Sequence, residues 1–515
     1  MQDWQGPGRQ GNSTGLCVTC SIVRRPDGAP GPNGLTPVYW GDSMADQLSA
    51  LTVIFTEFYY WVTIVFMFLI HVGFCMYEVG ASRRKNHMHT LMKNTMVIPL
   101  VTITFFLFGW WIYFAFPNGP GIGALFGGSG ALIPAPFATP WSELMGAHMG
   151  GAPVQDNLDA AATMYWSRLN GVFWAAFLLF SWTTASIISG ALIERVRSSA
   201  FWVLAVLVGS GTWIIDAAWG WSYNGWMVEH LGYHDAYASG VVHAIAGGAA
   251  LAALIHLGPR IGKFRADGTP RNIVPHNPWL ITVGLFLIYT GFWGFYVACN
   301  IPIFDVQAGD EVFWSATNIY LAPTTLSAIT FNFLLSLTGG LLATYIVSRG
   351  DAFWTYSGGL CGVIGASAGN DLYHPLQALL IGGFVPVVCY KLHLWVERRF
   401  KIDDAVGAVA VHGYGGFLGV VIAGFMLWGY PASPFYDSVV NPLGNFIGAI
   451  IMFLVLGFIP AYILCAILKS CNALRIPQEI ELVGLDLSEY AARYADEDEL
   501  QQAEIQAARV AGLLK

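Results

Sequence analysis

The chain has 515 residues, of which 55% are hydrophobic and 11% charged, with mean hydropathy +0.54. Soluble domains carry about 25% charged residues, so a deficit concentrated in long apolar runs excludes an ordinary soluble domain and marks a polytopic membrane protein. The formal net charge of −8 comes without a basic cluster, so nucleic acid is not expected as a partner.

Residues 1–48 are polar, rich in Gly and Pro, and read as an irregular extracytoplasmic segment without a signal-peptide pattern. Cys17 and Cys20 form a lone CxxC there, open to a metal site, a redox pair or a disulfide. With no second pair and no nearby His, no metal is expected. Apolar runs long enough to span follow at about 51–79, 95–116, 169–193, 200–221, 238–258, 278–303, 321–348, 354–370, 374–396, 405–429 and 442–470. The expected fold is therefore an all-α membrane domain of eleven spans over 49–471, with a cytoplasmic tail at 472–515. The eighth run is short and glycine-rich and reads as an irregular or half-buried span. The remaining cysteines lie in or beside apolar runs and behave as small hydrophobes.

Charge in the loops sets the orientation. Arg83, Arg84, Lys85 and Lys93 follow span one, Arg195 and Arg197 span three, and Arg260, Lys263, Arg265 and Arg271 span five. Arg349 follows span seven, and Arg398, Arg399 and Lys401 follow span nine. Loops 222–237, 304–320, 371–373 and 430–441 hold no Lys or Arg. The N-terminus is expected outside and the C-terminus inside, although Arg9, Arg24 and Arg25 cut mildly against this.

Two stretches repeat one pattern. DAYASGVVHAIAGG (235–248) and DDAVGAVAVHGYGG (403–416) each place an acid, Asp235 or Asp404, eight residues before a histidine, His243 or His412. Valine precedes each histidine, and a glycine pair follows about one turn later. The copies lie on spans five and ten, and five is odd, so the second unit is inverted: a five-plus-five inverted repeat plus one extra helix. Eight helical residues rise about 12 Å into a core of about 30 Å, so the imidazoles meet near one depth from opposite faces.

An ionisable residue within a span is a functional hypothesis by default, set against a histidine that merely hydrogen-bonds a neighbouring helix. No Cys, Glu or Asp stands three or four residues from either His, so no metal pair is expected. A neutral imidazole pair sharing one N–H keeps one free nitrogen at each end. It suits a small species that both donates and accepts hydrogen bonds, or a proton relay. Phe180, Phe295, Trp221 and aliphatic neighbours make the surroundings costly for a bare ion.

GFCMYEVGASRRKN (73–86), GALIERVRSSA (190–200), DAYASGVVH (235–243), GFWGFYVAC (291–299), IDDAVGAVAVHGYGG (402–416) and RIPQEIELVGLDLSEY (475–490), in that order, resemble the ammonium transporter (Amt/Rh/methylammonium permease) family, on the Amt side. The resemblance implies that His243 and His412 are the twin pore histidines and that Phe180 and Phe295 are the stacked rings gating the outer mouth. It makes Asp235 the acid at the start of span five, linked to structure and deprotonation. Trp221, with Trp219 as runner-up, matches the ammonium-recruiting Trp. Cys299 falls where the family usually has a recruiting Ser, and Cys is the poorer acceptor. Tyr296 stands where it would narrow the mouth, and Gly407 replaces a frequent acid. Asp216 is an extra acid, read as a helix-end or loop salt bridge rather than a cation attractor.

Two functions follow from the resemblance. One is an ammonium transporter, recruiting ammonium by cation–π attraction and passing ammonia with or without a proton relay. The other is an ammonium receptor on the same scaffold, signalling through the tail. The resemblance also implies a homotrimer, a PII-type partner or fused signalling domain, and no cofactor. No nucleophile–base set appears in the spans, so an enzyme is not expected. Residues 494–515 read as a terminal helix, acidic and then rich in Ala and Gln.

Overall fold

The computed structural model describes residues 44–115, 160–223, 225–308 and 311–489, together with Gln506 and Val510. The N-terminal segment with Cys17 and Cys20 and, apart from Gln506 and Val510, the terminal helix expected over 494–515 lie outside the described residues. The described residues from Leu51 onward belong to one compact unit.

The helices, numbered in chain order, are α1 (Met44–Ala81), α2 (Arg84–Gly109), α3 (Ala160–Ala191), α4 (Ser198–Gly220), α5 (Ser239–Leu257) and α6 (Pro278–Ala298). They continue as α7 (Leu326–Val347), α8 (Ala352–Ser367), α9 (Pro375–Phe400), α10 (Val409–Met426) and α11 (Pro442–Ser470). Among the described residues, ten helices are long and apolar enough to cross a membrane. The expected eighth span is α8, a regular 16-residue helix buried at every position from Ser357 to Ser367. It is neither irregular nor half-buried. Its small residues let it pack tightly between neighbours: a methyl at Gly340 would strike Gly358 O, and one at Gly362 would strike Gly382 O.

Local chemistry sets the starts of several spans. Asn277 accepts from the Trp279 and Leu280 amides ahead of α6, and Thr325 accepts from Ala328 N ahead of α7. Asp351 accepts from Trp354 N ahead of α8, and Asn441 from Gly444 N ahead of α11. Pro278, Pro375 and Pro442 follow their caps, where a missing N–H costs nothing.

A three-stranded antiparallel sheet adds to the helical plan. Its strands are β1 (Asn300–Ala308), β2 (Glu311–Asn318) and β3 (Pro323–Thr324), with Ile301 opposite Thr317 and Ala316 opposite Thr324. The sixth apolar run therefore ends as helix at Ala298, not 303, and the seventh begins at Leu326, not 321. β-Branched residues near those ends had extended the apolar runs without belonging to the helices.

The repeat is visible where α5 and α10 meet. Each histidine lies in a wide π-helical turn, Ser239–Ala244 in α5 and Val409–Tyr414 in α10. A methyl on Gly247 would overlap Gly413 Cα, and one on Gly416 would overlap Ser239 O. The two backbones touch, and only glycine permits it.

At the arginine-rich end, residues 474–489 lie over the loops between spans. Arg475 donates to Leu257 O at 2.7 Å and Pro259 O at 2.8 Å, and pairs with Glu481 at 2.7 Å. The Asp486 carboxylate accepts from Met88 N and His89 N, and Asn86 Oδ1 accepts from Leu485 N. The start of the tail is thus part of the folded unit. Beneath it Asp403 receives Arg260 Nε at 2.8 Å and Nη2 at 2.9 Å, while Arg195 donates to Asp403 O at 2.6 Å. Burial pushes the Asp403 carboxyl up, but Arg195 and Arg260 outweigh it and hold the group well below the usual carboxylate range.

Gly247→Ala is expected to lower thermal stability in detergent by about 2 kcal/mol through overpacking. Gly211→Ala, where an added methyl meets nothing within 4 Å, is expected to be neutral or slightly stabilising. Melting curves of the two variants, side by side, check this.

Candidate functional site

Each histidine is aimed by a carboxylate. Asp235 accepts from Ser239 N at 2.7 Å, Gly240 N at 2.7 Å and Val241 N at 2.9 Å, with Tyr233 OH at 3.2 Å. Asp404 accepts from Ala408 N and Val409 N at 2.9 Å and from Ala410 N at 3.4 Å. These are the orphan donors of a helix start, so each acid fixes the first turn of its span and, through it, the histidine beyond. Burial raises the Asp235 carboxyl to about 6 against the pull of the Val241, Gly240 and Ser239 amides. Burial likewise raises Asp404, opposed by His393 and the amides of its own turn.

The two rings meet. His243 Nδ1 and His412 Nδ1 are 3.0 Å apart, with ring centroids 5.1 Å apart and planes tilted 28°. One ring donates this hydrogen bond and the other accepts it. His243 is fully buried, and its Nε2 has no hydrogen-bond partner among the described residues. His412 is 5% exposed and borders a small cavity. His243 stacks on Phe295 at 5.7 Å and on Phe292 at 5.8 Å.

On the Asp235 side of the pair lies an aromatic layer. Phe180 and Phe295 contact edge to face, centroids 4.6 Å apart at 80°. Both are fully buried, and that separation leaves no room between the rings. Trp221 packs edge to face on Phe180 at 4.7 Å, is itself fully buried, and donates its indole N–H to Ala236 O at 3.2 Å. Trp219 is half-buried and packs on Trp226 at 5.8 Å. Cys299 is buried, with its thiol donated to Phe295 O one turn back in its own helix. Tyr296 stacks on Tyr237 at 4.4 Å, and its hydroxyl meets Ser367 Oγ at 2.6 Å and Asn370 Nδ2 at 3.0 Å. It belongs to the wall and does not narrow a mouth.

The salt-bridge reading of Asp216 fails. The side chain is fully buried in α4, and neither carboxylate oxygen has a partner among the described residues. Span four carries the acid inward before its helix ends, out of reach of any loop cation.

One polar group escaped the sequence reading. Glu78 and Lys93, both fully buried, approach to 3.6 Å. Glu78 Oε2 also accepts from Ser189 Oγ at 2.7 Å and Asn94 Nδ2 at 3.0 Å, while Lys93 Nζ donates to Ser189 O at 2.9 Å. The signal was present, a glutamate inside an apolar run, but it stood within a motif weighed only as a whole.

Among the described residues no group of three or more His, Cys, Asp or Glu is placed to hold a metal ion. The arrangement offers a buried, hydrogen-bonding imidazole pair, closed on one side by aromatic rings and bordered on the other by a cavity.

The model of the Ammonium Transporter Family matches residues 58–494. The chain is 29% identical to ammonium transporter Amt2 of Methanocaldococcus jannaschii over 459 residues, 87% of this chain and 93% of the relative. It is 28% identical to ammonium transporter Amt2 of Archaeoglobus fulgidus over 439 residues, 82% and 84% of the two chains. Among solved structures it resembles a protein named as a sensor Amt protein, with TM-score 0.66 and 22% identity over 86% of this chain and 99% of the other. It also resembles Mep2 of Candida albicans, with TM-score 0.60 and 20% identity over 82% and 86%.

Replacing Asp235 with Ala strands three amides at the start of α5. Stability is expected to fall by about 2 kcal/mol or more, with a similar loss for Asp404→Ala. Denaturation of both variants in one detergent checks the equivalence of the two caps.

Proposed function

The chain belongs to the ammonium transporter family, on its Amt branch, and from that premise we propose that it moves ammonium by stripping it to ammonia at the twin histidines. The observation that carries the reading is the 3.0 Å contact of two imidazoles inside an apolar, membrane-spanning core. Ammonium pays a large desolvation cost there, and ammonia does not. Ammonia donates to one ring nitrogen and accepts from another, as the pair offers at its two ends. Potassium has no proton to give up, and that excludes it.

In this reading the Trp221 and Trp219 segment recruits the cation outside the Phe180–Phe295 layer, and the two phenylalanines swing apart to admit it. The buried thiol of Cys299 is turned to its own helix, so recruitment rests on the aromatic faces. Asp235 holds the first turn of α5 and couples to deprotonation. The positive loops put the arginine-rich end inside, so the N-terminus lies outside the cell membrane and the tail in the cytoplasm. Three copies form the assembly, and the docked segment 474–489 is the surface through which a PII-type protein acts.

A second reading is a receptor with little or no transport. The closed aromatic layer favours it, as does the likeness to a protein named as a sensor. Uptake of methylammonium into proteoliposomes separates the two. Clear flux, lowered about a hundredfold or more by His243→Ala, is the expected result. Saturable ammonium binding without flux establishes the receptor instead.

A further inference from the structure

Glu78 has one satisfied carboxylate oxygen and one empty one. Oε2 carries the bonds from Ser189 and Asn94. Oε1 is buried and has no partner among the described residues, and the Ser357 hydroxyl lies within reach of the Tyr77 hydroxyl. Glu78 and Ser357 line the cavity that His412 borders, along with Tyr77, Gly190 and Val406. Tyr77 is already committed, donating to Val406 O at 3.2 Å. Besides Tyr77, the lining residues that carry hydrogen-bonding side chains in this otherwise apolar space are Glu78, Ser357 and His412. A glutamate whose only task was to tie α1 to α2 and α3 would need no vacant acceptor, since burying one costs about 1–3 kcal/mol. Lys93 offsets the carboxylate charge, so the cavity presents a proton acceptor without net charge.

We infer that Glu78 takes the proton leaving the histidine pair and returns it to ammonia on the inner side. This rests on the transport reading above and adds the proton's exit to it. Ammonium outside the pair gives a proton to His243 Nε2: its N–H bond breaks and an imidazole N–H forms. The shared proton crosses from His243 Nδ1 to His412 Nδ1. The other ring nitrogen of His412 releases its proton through the cavity, directly or over the Ser357 hydroxyl, to Glu78 Oε1. Ammonia that has passed separately then takes that proton: the carboxyl O–H breaks, the fourth N–H forms, and Glu78 is a carboxylate again. One ammonium ion has moved, and its nitrogen has passed the histidine pair as neutral ammonia.

The test uses the full chain in proteoliposomes, with ammonium-evoked current and lumenal pH read in parallel. Wild type is expected to give current. Glu78→Gln is expected to lose that current about a hundredfold, the size of a removed proton-transfer group, while ammonia still enters and alkalinises the lumen. Glu78→Asp is expected to restore part of the current. If Glu78→Gln leaves Lys93 stranded and fails to fold, the double variant with Lys93→Gln removes both charges together. Undiminished current in either variant overturns the inference. So does an electroneutral wild type, or a folded variant with neither flux nor current, which marks a blocked passage. A wild type that neither conducts nor admits ammonia overturns the transport reading itself.

Discussion

The structure depends on two imidazoles being held in contact within a buried, apolar core. Neither ring is placed by its own side chain. Each is carried by a wide helical turn whose amides are gathered by a buried aspartate, Asp235 in one half and Asp404 in the other. The turns reach each other because Gly247 faces Gly413 and Gly416 faces Ser239 with no side chain between. Carboxylate, π-turn, histidine and glycine pair form one device used twice. The inverted repeat makes the two copies converge instead of lying side by side.

The two sides of this contact differ in kind. Towards Asp235 the path is closed by aromatic edges in van der Waals contact, with the hydrogen-bonding atoms of Trp221, Cys299 and Tyr296 turned into the wall. Towards Asp404 there is a cavity that keeps unpaired polar atoms. Under the proposed transport reading, such a gradient would admit a neutral molecule at one end and let it recover charge at the other. A symmetric apolar tube would do neither.

Much of this was legible in the chain because membranes reduce the problem. Apolar run length located most spans within a few residues, since a bilayer demands helices of that length; the second helix starts at Arg84, eleven residues before the expected 95, and the eighth run forms a helix too short to count among the ten long enough to cross. The match of Asp235–His243 with Asp404–His412 marks a paired site in the sequence itself. Legibility failed where burial pattern and secondary structure part company. The residues after Ala298 stay apolar yet form a hairpin, and α8 is glycine-rich yet regular, because its glycines serve packing. Asp216 sits near a span end but faces inward, which a one-dimensional reading cannot tell from a loop ion pair.

The sequence by itself determined the membrane topology class, the repeat and its inversion, and the meeting of His243 with His412, because these follow from period, charge and spacing along one axis. Only the tertiary structure decided which lone pairs remain free: the Nδ1–Nδ1 contact that leaves His243 Nε2 open, the thiol of Cys299 spent on Phe295 O, and Glu78 Oε1 left without a partner in a residue that lines the His412 cavity. Hydrogen-bond satisfaction is settled by distance and direction between residues far apart in the chain, and no pattern along the chain encodes it.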